Sequence, residues 1–153
     1  MPLITTPEGF AIRLGIAVVL GIIMGSERQL TKHKTGILTN VIVCVGAFAF
    51  TSFSFLAPSR ENTSDFTRVA AQIVSGIGFL GAGVIISDGT KIKGINTAAS
   101  IWASAAVGIL CCLDNPLFAI MVALTIVVSH LVIHPITCLL YTSPSPRDRS
   151  VSR

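Results

Sequence analysis

The sequence contains few charged residues for its length. Lysine, arginine, aspartate and glutamate make up 12% of the 153 residues, whereas hydrophobic residues make up 52%, and the mean hydropathy is +0.79. A soluble domain carries about twice that charged fraction, and a soluble fold of this length needs more polar residues to cover its surface. The scarcity of charge therefore argues against a soluble domain and predicts an all-α membrane protein.

The sequence also lacks the local patterns typical of catalytic and metal sites. The four cysteines show no CxxC spacing; they are Cys44, Cys111, Cys112 and Cys138. Buried cysteine behaves as a small hydrophobe, so we expect no disulfide and no metal site there. His130 and His134 would share a helix face, and such a pair can hold a metal, but no HExxH motif or nearby acid accompanies them. We predict interfacial or packing histidines, no catalytic residue, no metal, no cofactor and no enzymatic activity.

Long uncharged runs alternate with short charged islands along the chain. A membrane-spanning helix needs roughly 20 mostly apolar residues. The runs predict a polytopic bundle of about five transmembrane helices, near residues 10–26, 37–56, 68–87, 96–112 and 116–137. The first run is the shortest and contains Arg13, which we expect to reach the membrane interface with its long side chain.

Basic residues are distributed unevenly among the predicted loops. Arg28, Lys32 and Lys34 follow the first span, and Lys91 and Lys93 follow the third. Because Lys and Arg are enriched in cytoplasmic loops, we predict that the N-terminus lies outside and the C-terminus in the cytoplasm. The net charge of +4 then reflects orientation. No nucleic-acid binding is predicted, because no basic patch is interleaved with exposed aromatics.

The predicted orientation also limits which charges can meet. Glu27 falls at the inner end of span 1 and Arg68 at the outer end of span 3, levels that a helix of about 20 residues separates by roughly 30 Å. We therefore predict that these two residues do not pair, and that Glu27 instead meets Arg28, Lys91 or Lys93.

Small residues recur at helical spacing in the predicted spans. The stripes are Ala17, Gly21 and Gly25 in span 1, and Ser100, Ser104 and Gly108 in span 4. Small residues let helices approach closely in lipid, so both stripes predict tight packing. Span 3 contains a GxGxxG pattern at residues 76–81, but no strand precedes it, so we reject a dinucleotide site. We expect packing there, or local flexibility that a bend or an unwound turn would accommodate.

Four separated stretches resemble the membrane domain of the MgtC/SapB family, in order and with similar spacing over about residues 10–138. They are residues 25–29 (GSERQ), 35–40 (TGILTN), 68–85 (RVAAQIVSGIGFLGAGVI) and 94–102 (GINTAASIW). The positions that match the family pattern are Glu27, Arg28, Asn40, Arg68, Gln72 and Asn96. The match does not assign their chemical roles.

The residues themselves leave alternatives open at these positions. Glu27 and Arg28 are either functional or an interfacial stop signal. Arg68 and Gln72 are either functional or a snorkelling side chain and a hydrogen bond across helices. Asn96 is either a helix cap that accepts an amide proton or a residue that contacts a partner.

The resemblance implies a bacterial inner-membrane protein linked to growth in low magnesium and, in pathogens, to survival inside host phagocytes. It implies action by binding and regulating other membrane proteins, such as the proton-translocating ATP synthase. A homo-oligomer is a further partner expectation beside the lipid bilayer. The alternative is a transporter or channel for Mg²⁺ or another small cation, but the acidic residues all fall at or outside the span ends, and ion pathways usually place ligands near the midplane.

The chain divides into a membrane domain over residues 1–140 and a tail over residues 141–153. The tail is rich in Ser, Pro and Arg, a composition typical of disorder. It also resembles translated sequencing-adapter DNA, which favours a non-native end on a truncated gene. Longer relatives add a soluble C-terminal regulatory domain, and the sequence leaves open whether such a domain followed the membrane domain here.

Overall fold

A computed structural model of the chain describes residues 3–30, 36–56, 64–88 and 91–141, and the side chains of these except at 3, 28–30, 64, 65, 88, 91 and 134–141. The described helices are α1 (Pro7–Leu30), α2 (Ile37–Leu56), α3 (Ser64–Val84), α4 (Ile95–Leu110) and α5 (Leu117–Tyr141). A short 3-10 turn at Leu3–Thr5 precedes α1, and an antiparallel hairpin of β1 (Ile86–Asp88) and β2 (Lys91–Lys93) joins α3 to α4.

The predicted helical bundle is confirmed. Three of its helices are long and apolar enough to cross a membrane, over Pro7–Glu27, Ile37–Leu56 and Phe66–Val84, and the described parts of α4 and α5 contribute the shorter apolar stretches Ile95–Leu110 and Leu117–Ile133. Span 3 was predicted near residues 68–87; α3 covers Ser64–Val84, and Ile86–Asp88 pair as a strand. The tail from residue 142 onward lies outside the described part of the chain.

Two helix starts follow directly from local sequence. The Thr6 hydroxyl accepts a hydrogen bond from the backbone N–H of Gly9 (3.2 Å), and Pro7 occupies the first helical position of α1, where a missing N–H costs nothing. The Asn115 side chain accepts the N–H of Leu117 (3.0 Å) at the start of α5. Both residues satisfy amides that have no partner within the helix.

The start of α4 shows whether Asn96 caps this helix. Gly94 is the residue before the helix, with φ of 94° and no side-chain cap. A Cβ at Gly94 would lie 2.2 Å from the carbonyl oxygen of Val84, so only glycine combines this left-handed backbone with such a close approach. Asn96 lies inside the first turn of α4, so of the two alternatives that the sequence left open for Asn96, the helix cap is contradicted.

The core is formed mainly by α1, α2 and α4, which pack against one another. Ala17 and Leu20 of α1, Cys44 and Phe48 of α2 and Val107 of α4 are buried there. The last helix, α5, covers α1 and α4, and α3 packs on α4 and α2. The contacts of Gly21 with Val41 and of Gly25 with Ile37 show that α1 and α2 run in opposite directions, whereas α2 and α4 run in the same direction.

The small-residue stripes of α1 and α4 pack as predicted. A Cβ at Gly21 or Gly25 would lie 2.8 Å or 2.6 Å from a Cα of α2, and a Cβ at Gly108 would lie 2.2 Å from the carbonyl oxygen of Cys44. These helices therefore touch backbone to backbone, which is the close contact that drives association in lipid. In α3, by contrast, a Cβ at Gly76 or Gly78 would meet no atom within 4 Å, and no unwound turn interrupts the helix.

Candidate functional site: two polar ends of the bundle

The six family-pattern positions lie at opposite ends of the bundle. Glu27, Arg28, Asn40 and Asn96 lie toward the end that carries the β1–β2 hairpin, which we call the hairpin end. Arg68 and Gln72 lie on the first turns of α3, at what we call the far end. The structure therefore does not assemble one site from all six positions.

Glu27 is buried against α5. The residue is 7% exposed, and its Oε2 lies 3.4 Å from Nδ1 of His130. The predicted separation of Glu27 from Arg68 holds, because Glu27 lies against α5 and Arg68 faces α2. We expected His130 to be a packing or interfacial residue, and it is a partner of Glu27. The predicted partners of Glu27 were Arg28, Lys91 or Lys93, so His130 was missed. The side chains of Arg28, Lys91 and His134 lie outside the described residues.

Asn40 of α2 is linked to α4 by one hydrogen bond, from the hydroxyl of Ser104. It is fully buried, its Nδ2 donates to the carbonyl of Gly36 (3.2 Å), and its Oδ1 accepts from the Ser104 hydroxyl (2.8 Å). Ser104 also lies 3.0 Å from the carbonyl oxygen of Ser100. A buried amide with partners on both sides can orient two helices, so the geometry favours a structural role for Asn40.

The hairpin end presents exposed apolar side chains beside polar ones. Ile86, Ile92 and Ile95 are 62%, 61% and 55% exposed. Lys93 and Asn96 are exposed beside them. Aliphatic side chains on a short, hydrogen-bonded hairpin at the end of a bundle are suited to contact a protein or the membrane surface.

Arg13 is a polar residue whose role the sequence prediction misjudged. We expected it to reach the membrane interface, but it is 3% exposed and its guanidinium donates to the backbone carbonyls of Cys111 (3.3 Å) and Asp114 (3.0 Å). These carbonyls lie just beyond the end of α4, where a positive charge is favoured by the helix dipole. The sequence did contain a signal for this role, because a lone arginine within an apolar run usually has a specific partner.

The cysteines that the structure describes lie in the core beneath Arg13. Cys44, Cys111 and Cys112 are buried free thiols, and the Cys112 thiol donates to the carbonyl of Phe48 (3.3 Å). Cys138 lies outside the described side chains. Within the described ranges, no three His, Cys, Asp or Glu side chains come together as a metal site.

A groove runs between α2 and α3, from Arg68 at the far end to Leu80. Its volume is about 740 Å³. The apolar lining comes from Ile42, Gly46 and Phe50 of α2 and from Ile73, Ile77 and Leu80 of α3. Arg68 and Gln72 line the same groove and are exposed. Neither side chain makes a hydrogen bond or an ion pair with any residue that the structure describes.

Comparison with known proteins shows which family this chain is similar to. The model of the MgtC family matches residues 14–138. An uncharacterized Synechocystis protein is 42% identical over 135 residues, covering 87% of this chain and 56% of its own length. MgtC of Brucella abortus is 54% identical over 95 residues, covering 62% of this chain and 39% of its own length.

MgtC of Salmonella typhimurium is a third relative, 42% identical over 119 residues that cover 78% of this chain and 49% of its own length. The chain thus spans about half the length of the curated relatives it matches. No solved structure matches it.

Proposed function

Because the chain belongs to the MgtC family of membrane proteins, we propose that it is a bacterial inner-membrane protein that acts during magnesium limitation and intracellular survival by binding and regulating other membrane proteins. The proton-translocating ATP synthase is one such partner implied by the resemblance, and a homo-oligomer is another. We propose no catalytic role.

The observation that carries this proposal is the hairpin end. Ile86 and Ile92 of the hairpin and Ile95 at the start of α4 are each more than half exposed. The second strand of the hairpin carries Lys91 and Lys93. Apolar contact area beside basic residues fits a partner membrane protein that presents acidic residues at the bilayer surface.

The proposed topology puts the hairpin end in the cytoplasm, with the N-terminus outside and the C-terminus inside. Basic residues concentrate at this end, as the positive-inside rule requires. Reporter fusions after Lys34 and after Lys93 test the orientation. Both are expected to report the cytoplasm, and a fusion reporting the outer side at either position contradicts the five-span arrangement.

Ile92→Asn tests the docking surface. Rescue of growth in low magnesium is expected to fall while membrane abundance stays unchanged, because the substitution removes apolar contact area without touching the core. Leu38→Asn is the matched control, since Leu38 is 70% exposed near the start of α2 at the same end. Equal growth of the Ile92→Asn variant and the parent, or equal loss in both variants, contradicts docking at the hairpin.

Transport of Mg²⁺ or another small cation remains a second candidate, favoured by one observation. Glu27 is a buried carboxylate near a membrane boundary, and such residues often mark ion pathways. Flux measured in proteoliposomes tests it. Flux that Glu27→Gln abolishes supports a channel or transporter, whereas parent protein that shows no flux leaves the regulatory proposal as the explanation of growth rescue.

A further inference from the structure

We propose that the groove between α2 and α3 binds one membrane phospholipid, with its phosphate on Arg68 and an acyl chain along the apolar lining. This site is separate from the hairpin end, where the proposed partner protein binds. The proposal depends on the chemistry of the groove, its length and the open space at two glycines.

The polar end of the groove is suited to a phosphate. The Arg68 guanidinium is exposed and has no partner among the residues that the structure describes. A planar guanidinium with five N–H donors matches the oxygen atoms of a phosphate. Gln72 lies one helical turn, roughly 6 Å, deeper along α3. Its amide can donate to an ester carbonyl, which in a phospholipid lies just below the phosphate.

The need for a partner is strongest at Gln72. A side-chain amide at membrane depth costs several kcal/mol when it is left without a hydrogen bond, because hydrocarbon offers none. Gln72 lines an open groove, so the missing partner has to come from whatever fills that groove. A purely apolar helix from another protein would not satisfy it.

The whole groove, from its polar end at Arg68 to Leu80, is about as long as one lipid leaflet is thick. From Arg68 to Leu80 the groove follows α3 for roughly 18 Å, and half of the hydrocarbon core measures about 15 Å. With a volume of about 740 Å³, the groove accommodates an acyl chain over that distance. The headgroup contacts and the chain contacts therefore fall at the depths that a single lipid in the leaflet on the Arg68 side requires.

Two glycines, one on each helix, explain why the groove stays open. Gly46 of α2 and Gly76 of α3 both line it, and a Cβ at either position would meet nothing within 4 Å. The space that a side chain would fill at these positions is part of the groove. Gly78 has equally open surroundings but is not part of the lining, so it offers a matched control.

Binding is tested by native mass spectrometry of the full chain in detergent with added phosphatidylglycerol. One lipid per chain is expected to remain bound. Two truncated probes separate the parts of the ligand: diacylglycerol lacks the phosphate and glycerol phosphate lacks the chains, and neither is expected to bind. Retention of glycerol phosphate alone would show a phosphate site without a lipid groove and would overturn the proposal.

Three variants complete the test. Arg68→Gln removes a charged donor and is expected to weaken phosphatidylglycerol binding by about tenfold. Gly76→Leu is expected to abolish it by filling the groove, whereas Gly78→Leu is expected to leave it unchanged. Since both leucine substitutions enter open space, unaltered thermal stability confirms folding.

Equal lipid binding by the Gly76→Leu and Gly78→Leu variants overturns the proposal. A change in oligomeric state with Gly76→Leu, without a change in lipid binding, would instead assign the groove to a second copy of the chain.

Discussion

Glycines of the three-helix core (α1, α2 and α4) and glycines of α3 have opposite surroundings. In α1 and α4, Gly25 and Gly108 lie where a Cβ would collide with the backbone of α2. In α3, Gly76 and Gly78 face open space, and Phe79 beside them is 82% exposed. A small-residue pattern therefore indicates a helix that can be approached closely, but the partner is protein in one region and, as we propose, lipid in the other.

The largest expected effect tests the packed region. Gly108→Ala places a methyl group 2.2 Å from the Cys44 carbonyl oxygen, so α2 and α4 must move apart. We expect a loss of about 3 kcal/mol in stability, measured as a lower unfolding temperature in detergent and lower membrane abundance. An unchanged unfolding temperature would mean that these helices are not in backbone contact.

Arg13 in the packed region and Arg68 on α3 allow the same comparison for charged residues. Arg13→Ala removes two hydrogen bonds from a buried guanidinium to the end of α4, and we expect a loss of about 2 kcal/mol. Arg13→Lys is expected to fall between the parent and Arg13→Ala, because lysine cannot reproduce the planar fork. Arg68→Ala serves as the control and is expected to leave thermal stability unchanged. Equal effects at both arginines would contradict the difference between the regions.

A smaller effect is expected at the hydrogen bond between α2 and α4. Asn40→Ala is expected to cost about 1 kcal/mol, as interhelical hydrogen bonds in membranes do. A double-mutant cycle with Ser104→Ala measures the coupling between the two residues. Thr125→Ala is the control, because Thr125 is exposed and its hydroxyl bonds only within α5, to Met121. Strict additivity of Asn40→Ala and Ser104→Ala would show that the bond contributes nothing.

The smallest effect has the opposite sign. Gly78→Ala adds a methyl group in open space and removes the flexibility of a mid-helix glycine, so we expect a gain of about 0.5 to 1 kcal/mol in stability. Thermal unfolding in detergent measures it against the parent. Destabilisation by Gly78→Ala would show that this face of α3 is covered by protein.

Much of the fold follows from local chemistry that the sequence displays. Uncharged runs of membrane length located the helices, and the bounds of α2 agree with the prediction. The stripes through Gly21 and Gly108 correctly indicated close packing. The hairpin was missed because a three-residue strand has no periodicity to detect, although its paired residues Asp88 and Lys91 are only three positions apart in the sequence.

The candidate site was less accessible to sequence reasoning. Asn96 has the chemistry of a cap, yet the cap position is Gly94, because the close approach of the chain to Val84 admits only glycine. Glu27 meets His130, which lies more than one hundred residues further along the chain. Roles at such positions depend on which helices become neighbours, and local sequence does not specify that.

The sequence alone determined that this protein is a membrane-embedded helical bundle of the MgtC type, because hydrophobicity, span length and family motifs are properties of the chain itself. Only the tertiary structure decided which small residues face protein and which face open space. It also decided that Arg13 is buried and donates hydrogen bonds to carbonyls just beyond the end of α4, whereas Arg68 is exposed and lines the groove between α2 and α3. The physical reason is that lipid does not distinguish one apolar helix face from another, so contacts between helices, hydrogen bonds and steric fit select the partners.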